Sequence, residues 1–515
     1  MKEANTARLD AAAARRLQSA PAKHLTLQKL ERHLWAAADI LRGKIDSSDY
    51  KHYILGLLFY KRICDVWREE YEERLARDGD PERAAEPEAH RYHIPAGAGW
   101  TDVRQKKGRI GRLLNDAFRA IEEANPRLDG VFQDADFDHE ERFPDATLEQ
   151  LLDHFEQVQL GRQGTERDLL GNAYEYLIAQ FADDAGKKGG EFYTPKQVVR
   201  LLVECLDPGE GMSIYDPTCG SGGMLLEAVH HLRLAGKDPS KLALYGQEMN
   251  LSTWAICKIN LLIHDIDDAF IARGDTLRHP RHVDAEGRLK TFDRVLANPP
   301  FSLRNWGHPA WRKGDRYGRD LYGCPPKSYA DLAFVQHMIQ SLAPDGRLAV
   351  VLPHGILFRG GSEGEIRRGM LRDDLIEAVI GLPERLFYGT SIPACVLFIR
   401  RHKPPERQRR ILFVDGSQEA MDCTGKNILT PVNVERLVEA FRGFEDSTGF
   451  SRVVDVGFIE AQDGDLSLSR YVVRDDSEET IDVEAELEQL RRLQDVRNAD
   501  EEELVRLLRG LGYGS

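Results

Sequence analysis

Cysteine is sparse. The seven, Cys64, Cys205, Cys219, Cys257, Cys324, Cys395 and Cys423, are scattered over 515 residues and no C-x-x-C occurs. That pattern excludes a disulfide framework and a zinc cluster, and fits a reducing compartment. No run approaches the ~20 apolar residues that cross a bilayer. Residues 1–20 are rich in Ala and Arg and hold no apolar signal core,. A soluble, cytoplasmic protein without a membrane partner is expected. No Gly-Lys-Ser/Thr loop is present, which excludes a P-loop for ATP,. An excess of positive charge is missing too: 70 Lys and Arg stand against 85 Asp and Glu, a net charge of −15. A protein that binds DNA alone gains from a basic surface through counterion release. Either DNA is not the substrate, or a partner supplies basic surface.

What is there begins with 42% hydrophobic residues, enough for a sizeable core,. The length allows two to four domains at roughly 150 residues each. Residues 25–41, 50–76, 110–124 and 147–157 carry apolar side chains at helical spacing,. They predict a helical domain over 1–175. After Gly189 the pattern changes. Short apolar runs at 212–215, 242–246, 270–272, 295–297, 348–352, 376–382 and 395–399 alternate with helical stretches. Such alternation predicts a parallel, doubly wound, Rossmann-like α/β sheet over 176–415. Residues 416–515 form a third region. Within it, 475–504 is acidic and helical in pattern, and Leu487, Leu490, Leu493, Val496, Leu504 and Leu507 make an apolar stripe. The stripe is either a solvated amphipathic face or a docking helix.

Five motifs sit at the starts or ends of these elements. In the first, Asp216-Pro217-Thr218-Cys219-Gly220-Ser221-Gly222-Gly223, a strand enters and a helix leaves. Glycines at such a turn let a ligand approach the backbone. The Asp at the strand end favours a cationic ligand, and S-adenosylmethionine, with its ammonium and sulfonium, suits it. In the second, Gly246-Gln247-Glu248, an acid at the tip of the next strand can hold ribose hydroxyls. The third is Gly274-Asp275-Thr276, whose Asp can accept from an adenine amine or simply cap a turn. The fourth is Asn298-Pro299-Pro300-Phe301. Its prolines stop the strand, leaving the Asn298 side-chain carbonyl and the Pro299 main-chain carbonyl as two acceptors for one exocyclic amine. Phe301 offers a flat face for a base. The fifth, Glu191-Phe192-Tyr193-Thr194-Pro195-Lys196, reads as a helix start that also favours a carboxylate, such as the methionine end of the methyl donor. Between Phe301 and Lys327 lie Arg304, Trp306, Trp311, Arg312, Lys313, Arg316, Tyr317 and Arg319, a mixture suited to a DNA-contacting loop or a solvated one,.

The order of these motifs resembles that of the DNA amino-methyltransferases. More closely, the chain resembles the modification (methylase) subunits of type I restriction–modification systems. Residues 46–57 resemble that family's N-terminal helical domain. Residues 191–196, 216–223, 351–358 and 380–390 resemble its catalytic domain, and the likeness spans about 27–435. It implies that Glu191, Phe192, Tyr193, Thr194, Pro195, Lys196, Asp216, Ser221, Gly222, Gly223, Glu248 and Asp275 line an S-adenosylmethionine site. It implies that Asn298, Pro299 and Phe301 hold a target adenine, flipped out of duplex DNA for methylation at N6. A Phe at 301 in place of a Tyr keeps stacking but supplies no phenol hydroxyl. No metal is expected, because a sulfonium is already a good leaving group. The expected partners are double-stranded DNA, a specificity subunit bound by two copies of this chain, and a restriction motor–nuclease. The same clamp can hold a glutamine amide, so a protein-glutamine methyltransferase is one alternative. A catalytically idle scaffold of a DNA complex is another.

Overall fold

The computed structural model describes residues 26–42, 44, 49–162, 167–184, 193–387, 392–423 and 426–473. Its first half is helical: α1 (Leu27–Leu41), α2 (Tyr50–Asp78), α3 (Ile110–Ala124), α4 (Asp145–Glu156) and α5 (Arg167–Asp184). Each helix follows the apolar period of its sequence. In α1 the buried residues are Leu30, Leu34, Ala37, Ala38 and Leu41, one stripe at three- and four-residue steps,. α2 ends where Gly79 turns left-handed (φ 69°) and its N–H closes on the Leu75 carbonyl,. The core these helices build does not stop at 175. It takes in Tyr174, Leu177, Ile178 and Phe181 of α5, and Ile256, Ile259, Leu262 and Ile263 of a helix that lies much later in the chain. A boundary at 175 therefore falls inside α5, and the helical half shares its core with the α/β half.

The second half is a nine-stranded sheet. Its strands are β1 (Ser213–Asp216), β2 (Ala243–Glu248), β3 (Phe270–Arg273), β4 (Phe292–Ala297), β5 (Leu342–Pro353), β6 (Ile376–Gly381), β7 (Ala394–Arg400), β8 (Arg410–Asp415) and, after the two-stranded pair β9 (Met421–Cys423) and β10 (Lys426–Ile428), β11 (Ser451–Asp455). The order across the sheet is β11-β8-β6-β7-β5-β4-β1-β2-β3. Strands β3, β2, β1, β4 and β5 run parallel. The sheet is not parallel throughout. β7 lies antiparallel between β5 and β6, and β11 is antiparallel to β8. A strand buried on both faces reads as a continuous apolar run whichever way it points, so periodicity alone carried no direction. Helices α6 (Lys196–Leu206), α7 (Gly223–Leu234), α8 (Leu251–Ile263), α9 (Asp331–Gln340), α10 (Gly361–Arg372) and α11 (Pro431–Gly443) accompany the strands. α8 is the shared helix. One face enters the helical core, while Cys257 and Leu261 pack in a core of the sheet.

The region after 415 is not separate from the sheet. β11 forms its edge, α11 packs Val434, Leu437, Val438 and Phe441 against the core that holds α6, and Leu468 and Tyr471 pack in the core on the other face. From the sequence no strand is expected after 415, because Arg452 and Asp455 interrupt a short and half-exposed run. The 475–504 segment and its apolar stripe lie outside the described residues. Among the described residues, no helix is long and apolar enough to cross a membrane.

Candidate active site

The chain runs from β1 to β2 and β3 on one side, then returns to place β4 on the other side of β1. Ligand sites of open α/β sheets form at the strand ends flanking such a reversal. Asp216 ends β1, and Asn298 follows directly on β4. Both line one cleft of about 380 Å³, together with Tyr193, Thr194, Val199, Thr218, Cys219, Gly220, Ser221, Gly223 and Met224.

The turn after β1 is held from several sides. The Thr218 N–H donates to Asp216 Oδ1 at 3.0 Å, and the Cys219 N–H to the Gln247 carbonyl at 3.1 Å. Gly220 and Gly222 take left-handed backbones (φ 53° and 82°). A Cβ on Gly222 would lie 2.8 Å from Cys257 Sγ, so the turn needs glycine there for both conformation and space,. Asn260 of α8, buried in an apolar helix, donates to the Ser221 carbonyl at 2.9 Å. Asp216 is 2% exposed. Burial pushes its carboxyl up to about 8; the Thr218 N–H opposes the shift and the negative Glu248 adds to it. A buried acid kept this far from its ordinary range has room for a cationic partner.

Glu248 accepts from the backbone N–H groups of Gly220 (3.1 Å) and Asn250 (2.8 Å), which ties the turn to the end of β2. Asp275, just past β3, accepts from the N–H groups of Leu277 (2.9 Å) and Arg278 (3.0 Å) and so caps a turn. Neither lines the cleft. They lie at the ends of β2 and β3, on that side of β1. Gln247 is wholly buried, donating to the carbonyls of Gly274 and His279 and accepting from the Arg281 N–H. It fixes the segment that carries Asp275. Its signal in the sequence is a polar side chain inside a strand, next to Glu248.

On the other side, the Asn298 amide donates to the Thr194 hydroxyl at 3.0 Å. Thr194 therefore engages the clamp rather than capping α6, whose first bond is the Val198 N–H to the Pro195 carbonyl. Tyr193 and Pro195 are half-buried, and Lys196 is exposed and paired with Glu175 at 3.3 Å. A second hollow of about 360 Å³ continues past Thr194 between α5, α6 and α7. Glu191 and Phe192 lie outside the described residues. Pro299 and Phe301 sit beyond the cleft's lining. The ring of Phe301 meets that of Phe387 edge-on, with centroids 5.8 Å apart at 68°. Phe387 has no strand or helix pattern around it, so nothing in the sequence marks it as a neighbour of Phe301.

The loop from 302 to 327 separates its aromatic and basic residues. Trp306 and Trp311 are 1% and 2% exposed, packed with Leu277, Ala330, Ala333 and Phe334. Arg319 is buried with them, paired to Asp315 at 2.7 Å and donating to the carbonyls of Thr276 and Leu277. These residues are the loop's own core and offer no stacking surface. Arg304, Arg312, Lys313 and Arg316 face solvent.

This geometry has counterparts among known proteins. The N-6 DNA Methylase family matches residues 165–480, and the HsdM N-terminal domain matches residues 30–155. The chain is 32% identical to the type I restriction enzyme MjaVII methylase subunit of Methanocaldococcus jannaschii, over 95% of this chain and 85% of that one. It is 32% identical to the type I restriction enzyme HindI methylase subunit of Haemophilus influenzae, over 82% of this chain and all of the other. The solved type I restriction-modification system methyltransferase subunit from Streptococcus thermophilus superposes with a TM-score of 0.77 at 32% identity, covering 87% of this chain and all of that one. These matches favour the DNA reading of the Asn298 clamp over the glutamine one. A mixed sheet with an Asn-Pro-Pro-Phe clamp at its switch point, a helical N-terminal half and relatives along nearly its whole length together show that the chain belongs to the N-6 DNA methylase family, among the methylase subunits of type I restriction enzymes.

Proposed function

We propose that the chain transfers a methyl group from S-adenosylmethionine to N6 of an adenine flipped out of duplex DNA. The observation that carries this reading is the single cleft shared by the buried Asp216 carboxyl and the Asn298 amide, at the ends of neighbouring strands. The donor set fits the methyl donor. Asp216 faces the cationic methionine portion, Ser221, Gly222 and Gly223 let the chain approach closely, and Tyr193 to Lys196 enclose the methionine end, to which the family resemblance also assigns Glu191 and Phe192. Glu248 takes the ribose and Asp275 the adenine of the donor. Bound there, the sulfonium supplies an electrophilic methyl carbon.

The chain's own residues do the rest. Adenine N6 is a weak nucleophile because its lone pair is delocalised into the ring. The Asn298 side-chain carbonyl and the Pro299 carbonyl accept from the two amine hydrogens and favour a pyramidal nitrogen. Phe301 and Phe387 form two walls for the base. N6 attacks the methyl carbon in line, the carbon–sulfur bond breaks toward sulfur, and N6 then loses one proton to solvent. Positioning and preorganised acceptors supply the acceleration.

A partner supplies sequence readout. Base-edge contacts need a dedicated element in a groove, and the net charge of −15 weakens unaided duplex binding,. The partner class is a specificity subunit shared by two copies of this chain, with a restriction motor–nuclease joining for cleavage. The stripe over 487–507 is the segment assigned to the specificity subunit. The deciding test is Asn298→Ala. Methyl transfer should fall by ~10²–10³, as when one preorganised polar contact is lost, while S-adenosylmethionine still binds by titration calorimetry. Methylation near the wild-type rate would sink the assignment.

A further inference from the structure

Ser302 follows the clamp tetrapeptide directly and holds a left-handed backbone, φ 54°. L side chains other than Asn, Asp and Gly rarely stay there unless something holds them. The Ser302 N–H donates to Asp331 Oδ1 at 3.0 Å. Asp331 is wholly buried and opens α9, where the positive end of the helix dipole favours a carboxylate,. Its Oδ2 has no hydrogen-bond partner among the described residues. Burial raises its carboxyl above the ordinary range, and the Ser302 N–H and the charge of Arg359 only partly offset this. Arg359 itself lies over the Tyr329 ring at 4.2 Å and 3.6 Å from Glu363. Buried acids so thinly compensated are rare where packing alone matters. Among the described residues, the Ser302 N–H is the hydrogen-bond donor this acid meets outside its own backbone, and it belongs to the neighbouring site.

We propose that Asp331 is a positioning residue for methyl transfer: by locking Ser302 it fixes the exit of the clamp, so that Asn298, Pro299 and Phe301 act as one rigid unit. This rests on the reading of the clamp given above. The tetrapeptide is then anchored at both ends. β4 and the Asn298–Thr194 bond hold its start, Pro299 and Pro300 stiffen its middle, and Asp331 holds its end,. Released, Ser302 relaxes out of the left-handed region and turns the Phe301 ring away from the base.

The test uses the methylase complex with two duplexes, one with adenine at the target position to read methyl transfer and one with 2-aminopurine there, which has no 6-amino group, to read flipping by fluorescence. Asp331→Ala should lower the single-turnover rate by roughly 10- to 100-fold, the loss of one hydrogen bond to a charged group. KM for S-adenosylmethionine should stay within about twofold, because the cofactor residues are untouched. The flipped 2-aminopurine should fluoresce more brightly than with wild type, its stacking on Phe301 being lost. Asp331→Asn keeps the acceptor and should keep the rate within about threefold. In a Ser302→Gly background the Asp331→Ala penalty should shrink, since glycine holds φ 54° unaided. A wild-type rate in Asp331→Ala, equal losses in Asp331→Asn, or a parallel loss of cofactor affinity overturns the proposal. Should Asp331→Ala not fold, hydrogen exchange of the Ser302 amide in the wild-type chain decides: slow exchange upholds the lock, and free exchange overturns it. A wild-type complex that neither flips nor methylates the target sinks the underlying reading instead.

Discussion

The Asn298 side-chain amide donates to the Thr194 hydroxyl at 3.0 Å, across the gap between the end of β4 and the entry to α6. That bond commits the nitrogen of Asn298, and in the proposed mechanism its side-chain carbonyl is the group that accepts from the substrate amine. On that reading Thr194 orients the Asn298 amide. Thr194→Val keeps the shape and removes the acceptor, so the amide is free to turn. Single-turnover methyl transfer should fall about 5- to 10-fold, equivalent to roughly 1 kcal/mol. Thr194→Ser should retain most of the rate; a wild-type rate in Thr194→Val, or a loss in Thr194→Ser as large as in Thr194→Val, would overturn the orienting role of the hydroxyl.

The Asp216 carboxyl predicts a pH dependence with a definite sign. Burial raises it from the ordinary carboxylate range to about 8. A raised acid stabilises the empty fold most at low pH, and that contribution is lost as pH rises from about 4 toward 8. Binding of the cationic donor favours the ionised form. Affinity for S-adenosylmethionine should therefore strengthen between about pH 6 and 8, with proton release on binding below 8. Calorimetry in two buffers of different ionisation heat reads that release directly. Asp216→Asn should abolish both the release and the pH dependence; persistence of either would move the titration to another group.

The strand ends were legible in the sequence because glycine, proline and acid residues interrupt apolar runs at fixed places. All seven apolar runs after Gly189 became strands, and Asp216 and Asn298 came together in one cleft. What stayed hidden was relational. Direction was invisible for β7, although residues 382–393, with Pro383 and Pro393 and no helical pattern, leave no crossover helix for a parallel return,. Asn260 stood as an amide in an apolar helix, a sign of a buried bond whose partner, the Ser221 carbonyl, only the fold reveals. Trp306 and Trp311 looked like stacking surface because composition does not say which side of a loop turns inward.

The shared core makes the two halves one folding unit. Arg91, between α2 and α3, pairs with Asp265 and with Asp267 (2.9 Å) after α8 and donates to the Leu262 carbonyl. The two aspartates are about 30% exposed, so Arg91→Ala should cost ~1–3 kcal/mol rather than the full penalty of a buried pair. Scanning calorimetry should show one transition, shifted down by a few degrees and not split in two. Cutting the chain to 167–515 should leave it insoluble, because Ile256, Ile259, Leu262 and Ile263 would face water,. A soluble, cofactor-binding fragment would show that the halves fold independently.

The loop from 302 to 327 offers the sharpest separation of binding from stability. Its exposed cations, Arg304, Arg312, Lys313 and Arg316, follow the 298–301 segment in sequence on a chain whose net charge is −15, so the loop is a local excess of positive charge that a phosphate backbone would favour,. Each one that contacts a phosphate should contribute about 0.9 to the slope of log affinity against log salt. Replacing all four with Gln should flatten that slope for the complex on duplex DNA, while melting temperature and S-adenosylmethionine affinity stay unchanged. Trp311→Ala should do the reverse. It empties a site packed by Leu277, Trp306 and Phe334 and should cost ~3–5 kcal/mol of stability,. A salt slope that survives the four Gln substitutions would leave these cations as solvated surface and return the duplex contact to the partner. A flattened slope with intact folding would instead show the loop dividing its labour: indoles and Arg319 inward to hold its shape, four cations outward to hold the DNA.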